Sequence, residues 1–185
     1  MAQEPTQLFV VSGPESSGKS TLAAKLATWL DAPLIEEAAR AYLQDQIEYT
    51  AADVLQIADL QQRAEDAALA SGISVVVADT DYQILNLWWQ EKFAAAEGRF
   101  PVSPPKHAGT LRRYLLCYPD LDWQPDPLRE NPYDRKRLFT LQMQALIAAT
   151  AEFRVIWGQG RFREHLARYY IETSLSQSRA KHSLL

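Results

Sequence analysis

A chain of 185 residues, 47% apolar and 23% charged, sets the expectation of one soluble globular domain with a sizeable core. Its net charge of −4 argues against nucleic-acid binding by phosphate neutralisation, and no run approaches the ~20 apolar residues of a membrane span. One cysteine, Cys117, and three scattered histidines exclude an internal disulfide and a Cys/His metal cluster; with a polar Met1–Gln7 that does not read as a secretory leader, they point to a cytoplasmic protein.

The first predicted element is a short apolar strand, Leu8–Val11. It runs into a loop in which Gly13, Gly18, Lys19 and Ser20 satisfy the G-x-x-x-x-G-K-[ST] pattern. The two glycines permit backbone angles and close approach that a side chain would block, so successive N–H groups can turn toward a phosphate. Leu22, Ala23, Leu26 and Leu30 continue at helical spacing, which sets a helix N-terminus behind the loop. This strand, loop and helix imply a nucleoside triphosphate site formed by Gly13, Pro14, Glu15, Ser16, Ser17, Gly18, Lys19, Ser20 and Thr21. Lys19 would reach the β- and γ-phosphates, and the Ser20 hydroxyl would take a place on Mg²⁺.

A second strand, Pro33–Ile35, ends in Glu36-Glu37, and a helix is expected over Ala38–Gln46. Glu37 is a candidate base for an acceptor hydroxyl, or a favourable charge at a helix start; Arg40 would neutralise it or touch a phosphate. Thr50 caps a predicted helix to Ala70 whose apolar face includes Val54, Ile57 and Leu60. The strand Ile73–Ala78 then delivers Asp79, read as a ligand of Mg²⁺ or as the base. Asp81 is a second candidate on the substrate side, or the cap of the next helix, Asp81–Ala96. Trp88 and Trp89 read first as packing against the sheet, with Trp88 kept among the candidate substrate contacts.

A proline-rich loop is expected over Gly98–Gly109, a strand over Tyr114–Tyr118 and irregular chain over Asp120–Pro132. The basic cluster Arg129, Arg135, Lys136 and Arg137 beside that irregular chain suits a closing lid with an arginine for the transferred phosphoryl group; the alternative is a solvated basic face. A helix over Pro132–Thr150, a strand over Phe153–Trp157 and a helix over Arg161–Ile171 follow. Short strands alternating with helices point to an α/β fold of three layers, a five-stranded parallel sheet covered on both faces. The domain is expected over residues 1–172, with 173–185 a polar tail that frays.

Four blocks in this order resemble the ribosylnicotinamide kinase domain of NadR-type proteins, a phosphate-loop kinase family. They are GPESSGKSTLA (Gly13–Ala23), EEAARAY (Glu36–Tyr42), VVADTDYQILNLWW (Val76–Trp89) and PDLDWQPDPLRENPYDRKR (Pro119–Arg137). The resemblance implies transfer of the γ-phosphoryl of ATP, with Mg²⁺, to the 5′-hydroxyl of nicotinamide riboside. It also implies the sheet of the nucleoside and nucleotide kinases with a lid. By that likeness Trp123 stacks on the nicotinamide ring, Asp126 binds on the substrate side, and Arg129 and Arg135 belong to the lid. A pyridinium over an indole face is a sensible pairing, worth about 0.5–2 kcal/mol. Bifunctional members carry an adenylyltransferase domain ahead of the kinase, and no such segment is expected here. Two other readings stand beside this one: a kinase for another nucleoside or nucleotide, and a regulatory ATPase switch.

Overall fold

The computed structural model describes residues 4–44, 46, 48–126, 129 and 131–182. Five parallel strands are present: β1 (Thr6–Ser12), β2 (Leu34–Ile35), β3 (Val75–Asp79), β4 (Thr110–Cys117) and β5 (Glu152–Ile156). Their order is β2-β3-β1-β4-β5. The helices are α1 (Lys19–Leu30), α2 (Ala38–Tyr42), α3 (Ala51–Ala70), α4 (Tyr82–Lys92), α5 (Ala94–Glu97), α6 (Arg135–Ala148) and α7 (Gly160–His182).

Strand alternation divides the core. Phe9 and Val11 of β1 face one side with Val77, Leu115 and Cys117, and there they meet Leu22 and Leu26 of α1 and Ala167 and Ile171 of α7. Leu8 and Val10 face the other side with Val76, Tyr114 and Leu116, covered by Phe139 and Leu146 of α6. A third cluster joins α2, α3 and α4 through Leu43, Val54, Ile57, Leu85 and Trp89. Helices thus lie on both faces of the sheet. From β1 the chain crosses toward β2, and from β4 toward β5, so the crevice at the carboxyl ends of β1 and β4 is the switch point where ligands of such sheets bind.

Three elements are longer than the sequence suggests: β1, which takes in Thr6, Gln7 and Ser12, and β4 and α7. β4 begins at Thr110, four residues before the expected Tyr114, because Arg112 and Arg113 are strand residues with buried partners. Arg113 Nε donates to Glu152 at 2.7 Å, and its guanidinium also reaches Gln7 and Ser178. Helix α7 runs to His182, so the expected tail from Thr173 is helical through that residue, with residues 183–185 outside the described set. The reason is a stripe of Ala167, Ile171, Ser174 and Ser178 at helical spacing, in which two small hydroxyl residues continue the apolar face. Ser174 is buried, and Ser178 Oγ receives Arg113 Nη2 at 3.1 Å.

Candidate active site

The loop between β1 and α1 is shaped by what surrounds it. Gly13 has φ +150°, and a Cβ there would stand 2.8 Å from the Cys117 carbonyl oxygen and 2.9 Å from the Cys117 Cβ. Only glycine lets the loop sit this low on the end of β4. Gly18, at φ +76°, caps α1, and a Cβ there would meet Leu121 Cδ1 at 2.7 Å. The first turn of α1 holds Lys19 and no acidic residue, so the helix end and the ammonium together favour an anion.

The outer surface of this loop is held by two arginines. Buried Arg163 of α7 donates Nη1 to the Ser17 carbonyl at 2.5 Å, Nη2 to Tyr118 O at 2.7 Å and to Asp120 Oδ1 at 2.6 Å, and Nε to Gly158 O at 2.8 Å. Asp120 Oδ2 in turn accepts from Gly158 N at 2.6 Å. One guanidinium therefore joins the chain after β1, β4 and β5. Arg135 donates to Leu121 O at 2.8 Å and to Ser16 O at 3.4 Å.

At the end of β3, Asp79 is 6% exposed and its Oδ1 has no hydrogen-bond partner among the described residues. Burial, and then the charge of Glu37, push its carboxyl up to about 6, while a Ser20 hydrogen bond, Lys19 and Arg40 pull the other way. Asp79, Glu37, Lys19, Ser20 and Arg40 therefore lie within reach of one another. Thr80 follows at φ +68°, strained for a β-branched residue, with its N–H on Val11 O at 3.0 Å. An unpartnered carboxylate oxygen beside the Ser20 hydroxyl suits a hard divalent cation that takes its remaining ligands from phosphates and water, so Mg²⁺ fits here. The described residues hold no cluster of three or more His, Cys, Asp or Glu side chains suited to a metal.

Asp81 lies two residues on and serves a different purpose. Its Oδ2 accepts from Arg112 Nη1 at 2.8 Å and from Tyr114 Oη at 2.8 Å, and its Oδ1 caps α4 through Gln83 N at 3.0 Å. With 1% exposure and all those partners, Asp81 is a buried cap rather than a substrate contact. That corrects the expectation from the sequence.

A cavity of about 310 Å³ opens beside the loop, with Glu15, Lys19, Tyr49, Trp88, Asn131 and Gln142 in its walls. Trp88 is half-buried and faces Tyr49 at 5.9 Å between ring centroids; Trp89 is the core tryptophan, with Nε1 on Gly98 O at 2.8 Å. The Lys92 ammonium lies 3.6 Å from the Tyr49 ring centroid. Trp123 is not among these walls. It sits on the flank of the phosphate loop, where Ser16 Oγ accepts from Gln124 N at 2.8 Å and the Arg135 guanidinium lies 5.8 Å from the indole centroid. Trp123 thus lies outside the lining of this cavity, and the chain beside it is held along Ser16.

Further contacts close the lid. Asn131 N donates to Glu15 Oε2 at 2.9 Å, and Arg40 Nη1 donates to Asp126 Oδ2 at 3.2 Å. Arg129 Nη2 lies 3.8 Å from Asp126, and Nη1 reaches Gln124 O. Arg40, Asp126 and Arg129 are thus brought together at the mouth of the site. Sequence reasoning did not single out Tyr49, Asn131, Gln142, Asp120 or Arg163. Tyr49 directly precedes a helix cap and Gln142 breaks an apolar stripe, which are weak signals; Arg163 has none, since its partners are backbone carbonyls and one carboxylate, Asp120, distant in sequence.

A family model described as an AAA domain, AAA_28, matches residues 8–164. No curated protein sequence matches the chain. Among solved structures, NadR in complex with NR shares 18% identity, over 88% of this chain and 48% of its own, at a TM-score of 0.62. Deoxyadenosine kinase from M. mycoides with bound dATP shares 9% identity over 89% of this chain and 98% of its own, at 0.59. Thymidylate kinase from Ehrlichia chaffeensis shares 13% identity over 90% of this chain and 99% of its own, at 0.58. The chain therefore spans about half the length of the NadR chain and nearly all of the two kinases. At these identities the likeness establishes the fold, that of the phosphate-loop nucleoside and nucleotide kinases.

Proposed function

The chain belongs to the AAA domain family AAA_28, and from that premise we propose that it transfers the γ-phosphoryl of ATP to the 5′-hydroxyl of nicotinamide riboside, giving nicotinamide mononucleotide. The observation that carries this reading is the cavity beside Lys19, walled by Trp88 and Tyr49 with the carboxylates of Glu15 and Glu91 in its lining. Its size is within the range of small-molecule sites, and aromatic faces with nearby carboxylates suit a flat cationic pyridinium. NadR, of the same fold, was solved with NR bound, which supports the choice of acceptor.

In this reading the loop amides and Lys19 hold the β- and γ-phosphates, while Ser20 and Asp79 hold Mg²⁺, which offsets the phosphate charge when bound. The acceptor oxygen forms its bond to the γ-phosphorus as the bond to the β-phosphate oxygen breaks, and ADP leaves. The hydroxyl proton passes to a carboxylate. Asp79 engaged on Mg²⁺ is not free to take that proton, whereas Asp79 standing off the ion is. Glu37 is the other carboxylate at hand, with Arg40 Nε at 4.0 Å. Arg40 and Arg129, both beside Asp126, would meet phosphoryl charge once Asp126 turns to the substrate.

A second reading, a kinase for another nucleoside or nucleotide, is favoured by Lys92: its ammonium already occupies one face of Tyr49, which suits a neutral or anionic acceptor. A nucleoside panel assayed for ATP-dependent product separates the two. Nicotinamide riboside as the best acceptor, with no turnover by Lys19→Ala, is the expected result. Another nucleoside preferred over it overturns the choice of acceptor, and equal ATP consumption with no acceptor points to an ATPase switch.

A further inference from the structure

Helix α6 buries Leu138, Phe139, Gln142 and Leu146, a stripe at helical spacing in which one residue is polar. Gln142 is 5% exposed, and its Oε1 is buried with no hydrogen-bond partner among the described residues. An unmade hydrogen bond in such a place costs stability, and leucine or methionine would fill it without that cost. Gln142 also lies in the wall of the cavity that holds Lys19 and Trp88, a wall that includes the apolar Ile84, Leu87 and Leu138.

Two other polar residues of the lining are already engaged. Asn131 is turned to Glu15 through its N–H at 2.9 Å, and Glu91 is paired with Arg137, with Oε1 3.2 Å from Nη1. The Gln142 Oε1 is a buried acceptor of this wall with no partner among the described residues. Its terminal torsion is soft and roughly two-fold, so a modest turn presents either the oxygen or the nitrogen to the cavity.

The geometry points to Gln142 as the specificity residue that reads a neutral carboxamide on the ring of the acceptor. Two amides pair through two hydrogen bonds: Oε1 accepts from the ligand N–H, and Nε2 donates to the ligand carbonyl. A carboxylate offers acceptors alone. Against it Gln142 makes one bond, and the second carboxylate oxygen faces Oε1 with no proton between them. Gln142 therefore separates an amide ring from its acid analogue, which the aromatic walls cannot do. This inference rests on the riboside reading above.

The test compares kcat/KM for nicotinamide riboside and nicotinic acid riboside in the full chain and in Gln142→Met, a substitution close in length and volume. The unaltered protein is expected to prefer the amide by at least about tenfold, a site built around a hydrogen bond rejecting the analogue that lacks it. In Gln142→Met the preference should fall to within about threefold, and the melting temperature should hold or rise. Gln142→Leu serves as the second variant, with the same expected loss of preference. An unchanged ratio in both variants, or equal loss on both ribosides, overturns the assignment. If the unaltered protein takes the two ribosides equally, the Gln142 assignment falls and the riboside reading stands. If it phosphorylates neither, the riboside reading falls and the assignment with it.

Discussion

Arg163 donates to the Ser17 carbonyl at 2.5 Å, and the trans peptide that follows turns the Gly18 N–H the opposite way. The loop presents its amides to a phosphate because its carbonyls are gripped from behind. Arg163→Met removes that grip together with the bonds to Tyr118, Asp120 and Gly158. ATP affinity should fall on the order of tenfold or more, with the acceptor KM little changed, since buried charged hydrogen bonds are worth about 1.5–3 kcal/mol each. Arg163→Lys keeps the charge but not the fork, and should not rescue. Titration of both variants with ATP well below their melting temperatures checks this; unaltered affinity would show that the loop needs no brace.

Asp79 ties stability to pH. Its carboxyl is raised from 3.8 to about 6, so the folded ligand-free protein favours the protonated form. That advantage is complete below about pH 3.8 and is lost as pH rises through 6, at a cost of about 3 kcal/mol by neutral pH. Asp79→Asn should therefore raise the melting temperature at pH 7.5, with little difference near pH 4, while phosphoryl transfer is lost. A variant no more stable at pH 7.5 than the unaltered chain would contradict this.

If a carboxylate accepts the proton, kcat should climb with pH to a plateau as that group ionises in the complex with both substrates. Glu37→Gln should leave that rise in place if Asp79 is the base. A pH–rate profile that vanishes in Glu37→Gln would hand the role of base to Glu37.

The two candidate ring partners can be told apart. Trp88→Ala should raise the riboside KM by about tenfold or more, as aromatic contacts with a cation contribute up to about 2 kcal/mol. Trp123→Ala should act mainly on lid closure, with a smaller change in KM. A large loss from Trp123→Ala alone would return the stacking role to the lid.

Asp81→Asn should leave Arg112 and Tyr114 short of their shared partner, lowering stability by on the order of 3 kcal/mol. At temperatures where the variant stays folded, kcat/KM should remain within about threefold of the original. A selective loss of riboside binding would restore Asp81 to the site.

The phosphate loop was legible because its glycines, lysine and serine are fixed by one ligand geometry within a short stretch of chain. The five strands were legible from their apolar runs, except where Arg112 and Arg113 hide the start of β4 behind charges that are neutralised only by residues distant in sequence. The end of α7 was misread for a related reason: Ser174 and Ser178 continue a buried stripe, and serine spacing carries little weight without the sheet beneath it. Asp79 and Asp81 looked alike as neighbours at a strand end. What separates them is Arg112 and Tyr114, brought to Asp81 by β4. The cavity walls draw on Tyr49, α4 and α6, and no local pattern announces that meeting.

Cys117, pressed beneath Gly13 at the end of β4, has its thiol pushed up to about 12 by burial. It stays protonated and out of reach of maleimides and peroxide while the fold persists. A fluorophore cysteine introduced on the exposed lid would then be the sole labelled position, and opening and closing could be followed by its emission in an otherwise unmodified chain.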